Sequence, residues 1–292
     1  MMNNLPEFRP PAEADSLILQ IACGCPHNTC SFCGMYKGRS YRQRPLDEAL
    51  ALIRQETRRS AGATRVFLAD GDVMHLPHEE LRAILVELAA RLPHLSRVNL
   101  YANGSSILAK SEAELRALRA LKLHTLYLGL ESGDARTLQA MHKQETVEAM
   151  IEAGQRAQAC GLKLSVMVLL GLAGQERSQA HAAATAAALN RMQPRLLSVL
   201  RIIPAPGTGL DHDVRAGHFK PLTEYEAVQE LKALVSLLEL EHTIFRANHS
   251  SNIVPLEARF PRDKQILLAQ LDALLDSGNL DAETPGPQPL WL

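Results

Sequence analysis

Four of the chain's five cysteines fall within eleven residues, in the run Cys23-Gly24-Cys25-Pro26-His27-Asn28-Thr29-Cys30-Ser31-Phe32-Cys33. Clustered thiols serve either disulfide bonding or metal ligation. An odd cysteine count, a length of 292 residues and a polar N-terminus without a signal-peptide pattern all favour metal. Cys23 and Cys25 leave only Gly24 between them, too tight for the clip of a four-cysteine zinc knot. Three thiols are therefore the working set: Cys25-x4-Cys30-x2-Cys33, or the last two with Cys23 in place of Cys25. An iron–sulfur cubane held by three thiolates keeps one iron open to a small molecule. A non-catalytic zinc-binding scaffold on Cys23, Cys25, Cys30 and Cys33 is the alternative from another class. Cys160 stands alone and reads as a small buried residue.

Other polar residues gather just after apolar runs. Asp70-Gly71-Asp72 follows one such run, and His75 and His78 lie close behind, which leaves open a metal-dependent hydrolase built on these histidines and aspartates. Tyr101, Asn103 and Ser105 follow another, and Glu131 sits in Gly129-Leu-Glu-Ser-Gly133. Two glycines frame Gly171-Leu-Ala-Gly174, with Glu176 just beyond; glycine lets backbone approach a flat ring or take positive φ. Arg201 lies between Leu200 and Ile202, where an unpaired guanidinium is costly to bury, so it faces an anion or solvent. Asn248-His249-Ser250-Ser251-Asn252 is a dense polar run, read as a substrate contact through Asn248, His249 and Asn252 or as a helix-entry loop.

These residues need elements to position them. Short apolar runs at Ser16–Ala22, Arg65–Ala69, Arg97–Ala102, Thr125–Leu130, Lys163–Leu170 and Leu197–Ile203 read as buried strands, and amphipathic helical patterns alternate with them. That alternation predicts an α/β fold with a parallel sheet covered by helices. A barrel brings every strand-end loop to one face, and a doubly wound sheet is the competing fold. Residues 1–15 read as an extended lead-in, 16–210 as the core, 211–276 as a C-terminal extension with a helix and a possible extra strand at Thr243–Ala247, and 277–292 as a loose tail.

Composition excludes more than it selects. Lys and Arg total 31 against 32 for Asp and Glu, so no global field recruits nucleic acid or an anionic membrane. The basic run Lys37–Arg44 reads as a solvated loop, with an anion site as the alternative. No apolar stretch is long enough to span a bilayer, and a reducing cytoplasm is the expected compartment.

The cysteine run, with Phe32 just before its last cysteine, resembles the radical S-adenosylmethionine (SAM) superfamily, and Gly129-Leu-Glu-Ser-Gly133 resembles its Elongator- and methylthiotransferase-like branch. The family's usual first spacing is x3, where this chain has x4. The resemblance implies a partial (β/α)6 TIM-like barrel in which Cys25, Cys30 and Cys33 bind a 4Fe-4S cluster. SAM would sit on the free iron and be cleaved reductively to a 5′-deoxyadenosyl radical that abstracts hydrogen from substrate. By the same resemblance, Phe32, Asp70, Asp72, Glu131 and Gly171 contact the cofactor; Asn103 reads as an inward cofactor contact or as turn chemistry, and Arg201 as a grip on the SAM carboxylate or a substrate acid or as a solvent-facing strand residue. The loop aspartates stand where the family carries Gly-Gly-Glu for the amino group, and Glu131 matches the ribose contact. A one-electron donor such as a flavodoxin or ferredoxin is implied, and a small-molecule substrate is favoured. With one cysteine outside the first loop, an auxiliary cluster and sulfur insertion are disfavoured, and residues 1–15 are too few for a cobalamin-binding domain.

Overall fold

The computed structural model describes residues 8–282. Its strands are β1 (Leu17–Gln20), β2 (Ala22–Cys23), β3 (Arg42–Gln43), β4 (Arg65–Ala69), β5 (Arg97–Ala102), β6 (Leu123–Glu131), β7 (Lys163–Leu170), β8 (Leu196–Arg201), β9 (Ile244–Ala247) and β10 (Leu256–Arg259). The helices are α1 (Leu46–Arg59), α2 (His78–Arg91), α3 (Gly104–Leu108), α4 (Glu112–Ala120), α5 (Ala135–Ala140), α6 (Val147–Ala159), α7 (Gly174–Met192), α8 (Gly209–Arg215), α9 (Glu224–Leu237) and α10 (Lys264–Asp276). Eight strands form one sheet in the order β1-β4-β5-β6-β7-β8-β9-β10, and β2 pairs only with β3. The order is sequential and open, with no pairing between β1 and β10 among the described residues. β9 continues the parallel run beside β8, and β10 turns back antiparallel on β9. The expected α/β class and its six parallel strand–helix units are present, and the extra strand at 243–247 is real.

The chain divides into two compact units. The first holds the chain up to Asn28, Met35–Leu128 and Glu152–Leu164. Here β4 is buried on both faces, with Val66 and Leu68 on one and Phe67 and Ala69 on the other, as the two-residue period of a covered parallel strand requires. Phe67 stands edge-on to Tyr101 and Tyr127, at centroid distances of 5.1 and 5.7 Å. Residues 8–15 are not a plain extended lead-in. Pro11–Glu13 forms a 3-10 turn, and buried Glu13 accepts bonds from Ser16 Oγ (2.6 Å), Asn99 Nδ2 (2.8 Å) and Tyr127 Oη (2.5 Å). A buried carboxylate needs such donors.

The second unit holds Thr29–Gly34, Gly129–Ile151 and the chain from Ser165. Helix α9 turns Ala227, Leu231 and Leu234 inward at three- and four-residue spacing, and α10 contributes Leu267 and Leu271. The tail is tied down as far as it is described: Asp281 Oδ1 accepts from Glu224 N at 2.6 Å, capping α9. Residues 1–7 of the lead-in and 283–292 of the tail lie outside the described residues.

Candidate active site

The first half of the cysteine run belongs to the first unit. Cys23 pairs with Arg42 in the β2–β3 hairpin. Gly24, at φ +81°, then turns the chain, and its carbonyl accepts from Gly71 N at 3.2 Å. The Asp70-Gly71-Asp72 loop thereby seats Cys25. A Cβ on Gly71 would lie 2.5 Å from Cys25 Cβ and 3.0 Å from its Sγ, so only glycine permits the approach.

Asp70 itself sits at φ +101°, a left-handed conformation that costs a non-glycine residue free energy. Its carboxylate is buried, accepts from Gln20 Nε2 at 2.8 Å, and has Tyr36 Oη at 3.4 Å. Burial pushes the Asp70 pKa up, against the pull of these donors. Asp72 is fully buried, and its Oδ2 accepts from His27 Nε2 at 3.0 Å and from Ser106 Oγ. Its Oδ1 has no hydrogen-bond partner among the described residues. Asn103 precedes α3, and its carbonyl accepts from Ile107 N at 3.1 Å. Of its neighbours, Tyr101 packs into the aromatic group on Phe67 and Ser105 is exposed. Ser106, not singled out from the sequence, is the residue that reaches Asp72.

The second half belongs to the second unit. Ser31 N donates to Met141 O at 3.0 Å, Leu210 N donates to Ser31 O at 2.9 Å, and a Cβ on Gly34 would lie 2.7 Å from Ala205 Cβ. Phe32 is buried with Met141, Leu172 and Leu210, and Cys30, Cys33 and Ile202 pack against this cluster. Phe32, Cys30 and Cys33 are thus brought together with the neighbours of Gly171 and Arg201. Burial pushes the Cys30 thiol up to about 11, Lys143 pulls it down, and Glu131 and Cys33 push it further up. Glu131, at φ +62°, lies 3.8 Å from Lys143 Nζ, and bare Gly129 makes room for its carboxylate. Burial raises the Glu131 pKa and Lys143 opposes it.

Gly171, at φ +77°, donates its N–H to Glu230 Oε1 at 2.7 Å. Glu230 also accepts from Ser178 Oγ and from His181 Nδ1 at 3.1 Å, so one buried carboxylate in α9 pins the glycine loop to α7. Arg201 and the polar run at 248–252 come together through Ser251: Arg201 Nε donates to Ser251 O (3.1 Å), Ser251 Oγ lies 2.8 Å from His249 Nδ1, and Asn252 Nδ2 donates to Val199 O (2.8 Å). Asn248 turns aside to Glu257 at 2.6 Å. Burial lowers the His249 pKa, which favours the neutral ring.

Residues 19–186, more than half of the chain, match the radical SAM superfamily. The chain belongs to that family. No protein of curated function matches it in sequence. Among solved structures it resembles the FeFe-hydrogenase maturase HydG from Carboxydothermus hydrogenoformans, with a TM-score of 0.51 at 18% identity over 87% of this chain and 56% of that one. It also resembles archaeal Methanocaldococcus infernus Elp3 (TM-score 0.55, 15% identity, 89% and 63%) and methylornithine synthase PylB (0.53, 15%, 89% and 81%). The chain thus spans little more than half of HydG, and at these identities the likeness shows the radical SAM partial-barrel fold alone.

Membership implies a radical SAM enzyme with a 4Fe-4S cluster and SAM. The residues fit such a cluster, because no cysteine is in a disulfide and Gly71 yields its Cβ space to Cys25. The non-catalytic zinc scaffold is disfavoured by the family match. No helix among the described residues is long and apolar enough to cross a membrane.

Proposed function

We propose that Cys25, Cys30 and Cys33 hold the cluster, and that the enzyme takes a hydrogen atom from a small-molecule substrate. The seating of Cys25 against Gly71 supports the ligand choice, and the backbone of Cys23 pairs with Arg42 in the β2–β3 hairpin. Held by these thiols and reduced, such a cluster would supply the one electron needed to cleave the C5′–S bond of SAM into methionine and a 5′-deoxyadenosyl radical. That electron comes from a donor of the flavodoxin or ferredoxin type.

The chain's own residues bind and orient. Asp70 accepts the SAM ammonium: a cation beside this buried carboxylate stabilises the ionised form that burial disfavours. Glu131 accepts the ribose hydroxyls, with Lys143 opposing the upward pull of burial on its carboxyl. Gly171 presents backbone to adenine from the loop fixed by Glu230, and Asn103 adds a polar contact at its strand end. Phe32 packs under the cysteine loop. Arg201 grips a carboxylate of SAM or substrate, and Ser251 orients it, with neutral His249 and Asn252 beside it as substrate contacts. Alanine substitution tests the ligand set: C25A, C30A and C33A should each lose the bound iron and sulfide after anaerobic reconstitution, and C23A should keep them. Iron loss from C23A with retention in C25A overturns the assignment.

A further inference from the structure

His27, Asp72 and His75 bring one ligand atom each to within 4.8 Å of one another in the first unit. Local geometry explains the meeting. Asp72 precedes the 3-10 turn Val73–His75, and its carbonyl accepts from His75 N at 3.3 Å; in such a turn residues three apart eclipse, which stacks His75 over Asp72. His27 arrives from the cysteine loop, its ring centroid 6.2 Å from that of His75.

A plain His27–Asp72 ion pair accounts for only half of the carboxylate. Asp72 is 0% exposed, and Oδ1 meets no donor among the described residues. A buried oxygen left so is unfavourable. Lys110 does not relieve it, since its Nζ bonds the carbonyls of Met74 (2.7 Å) and Leu76 (2.9 Å) and thereby fixes the turn. Ser106 Oγ holds the carboxylate in place, as outer-shell donors do for metal ligands.

We propose that His27, Asp72 and His75 bind a divalent first-row transition cation, zinc or iron(II) by ligand type, through a ligand set distinct from the thiols. Two imidazoles and a carboxylate form the usual donor set for such ions and leave positions open for water or a substrate oxygen. Ligands bonded at about 2.1 Å to one ion stand roughly 3–4 Å apart, and the 3.0 Å between His27 Nε2 and Asp72 Oδ2 lies at the short end of that spacing; on binding, the ion displaces the proton that His27 Nε2 donates to Asp72, which leaves to solvent. His75 is exposed, so its ring can rotate to close the set. The earlier pairing of His75 with His78 is replaced: His27 takes that place, while His78 Nε2 lies 3.8 Å from Glu79. The site does not depend on the thiols carrying a cluster.

The test uses the full-length protein, reconstituted anaerobically, dialysed against zinc and analysed for iron and zinc together. One zinc per chain beyond the cluster iron is expected. H75A, which removes an exposed side chain, should weaken zinc binding by about 100-fold, and S106A by about 10-fold, the lower end of outer-shell effects, both with unchanged iron, sulfide and visible absorbance. C25A/C30A/C33A should keep its single zinc. No zinc beyond the iron in the wild type, undiminished affinity in H75A, or loss of zinc together with the three thiols would each overturn the site.

Discussion

Gly71 N donates to Gly24 O at 3.2 Å, and Gly71 has no room for a side chain because Cys25 occupies that space, 2.5 Å from where its Cβ would stand. The loop that offers carboxylates and the loop that offers the first thiol are therefore built against each other. Gly71→Ala must push them apart, at an overpacking cost of about 1–3 kcal/mol. Urea denaturation should show that loss, and iron per chain should fall by at least about half, since a displaced thiol breaks a three-ligand set. Gly62→Ala, with nothing within 4 Å of its Cβ, should change neither.

Glu230 is the hidden support of the glycine loop. Glu230→Ala strands Gly171 N–H, Ser178 Oγ and His181 Nδ1 in a buried pocket, and should destabilise the protein by about 3–5 kcal/mol in urea titration. Glu230→Gln, which keeps an acceptor, should cost clearly less.

Glu131→Gln keeps size but removes the carboxyl group that faces Lys143. If Glu131 accepts the ribose hydroxyls, the dissociation constant for SAM should rise about 10-fold, the loss of one charge-assisted hydrogen bond. Equilibrium dialysis on the reconstituted protein measures it, with iron content unchanged.

His124 gives the protein an acid-sensitive window. Burial first, and then Lys163, Arg119 and Arg97, pull its pKa from 6.5 to about 4. The unfolded chain then binds the proton more readily than the folded one, so stability is full above pH 6.5 and declines as pH falls towards 4. The ring is partly exposed, so solvent screening reduces the effect to about 1–2 kcal/mol. Urea midpoints across this range should fall less in His124→Gln than in the wild type.

Much of the architecture was legible because buried parallel strands read as apolar runs: Arg65–Ala69, Arg97–Ala102 and Lys163–Leu170 fall where the sequence places them. β10 was not legible, since Leu256–Arg259 buries only Ala258 and has no periodicity to detect. Residue type and position at or near a strand end marked Asp70, Asp72, Glu131, Gly171 and Arg201 as candidates. The residues that hold them were missed, because Ser106, Lys143 and Ser251 act through long-range contacts that local pattern does not encode. Glu230 did leave a trace. It interrupts the apolar stripe of α9 beside Leu231 and Leu234, and a carboxylate on a buried helix face requires partners.

The proposed function requires that this chain's thiols carry a cluster that cleaves SAM. The direct measurement is the release of 5′-deoxyadenosine and methionine from anaerobically reconstituted protein given SAM and a one-electron reductant. Equal amounts of the two products from the wild type and from C23A, with none from C25A, C30A or C33A, are predicted. A wild-type protein that holds its full complement of iron and sulfide yet leaves SAM intact would contradict the account.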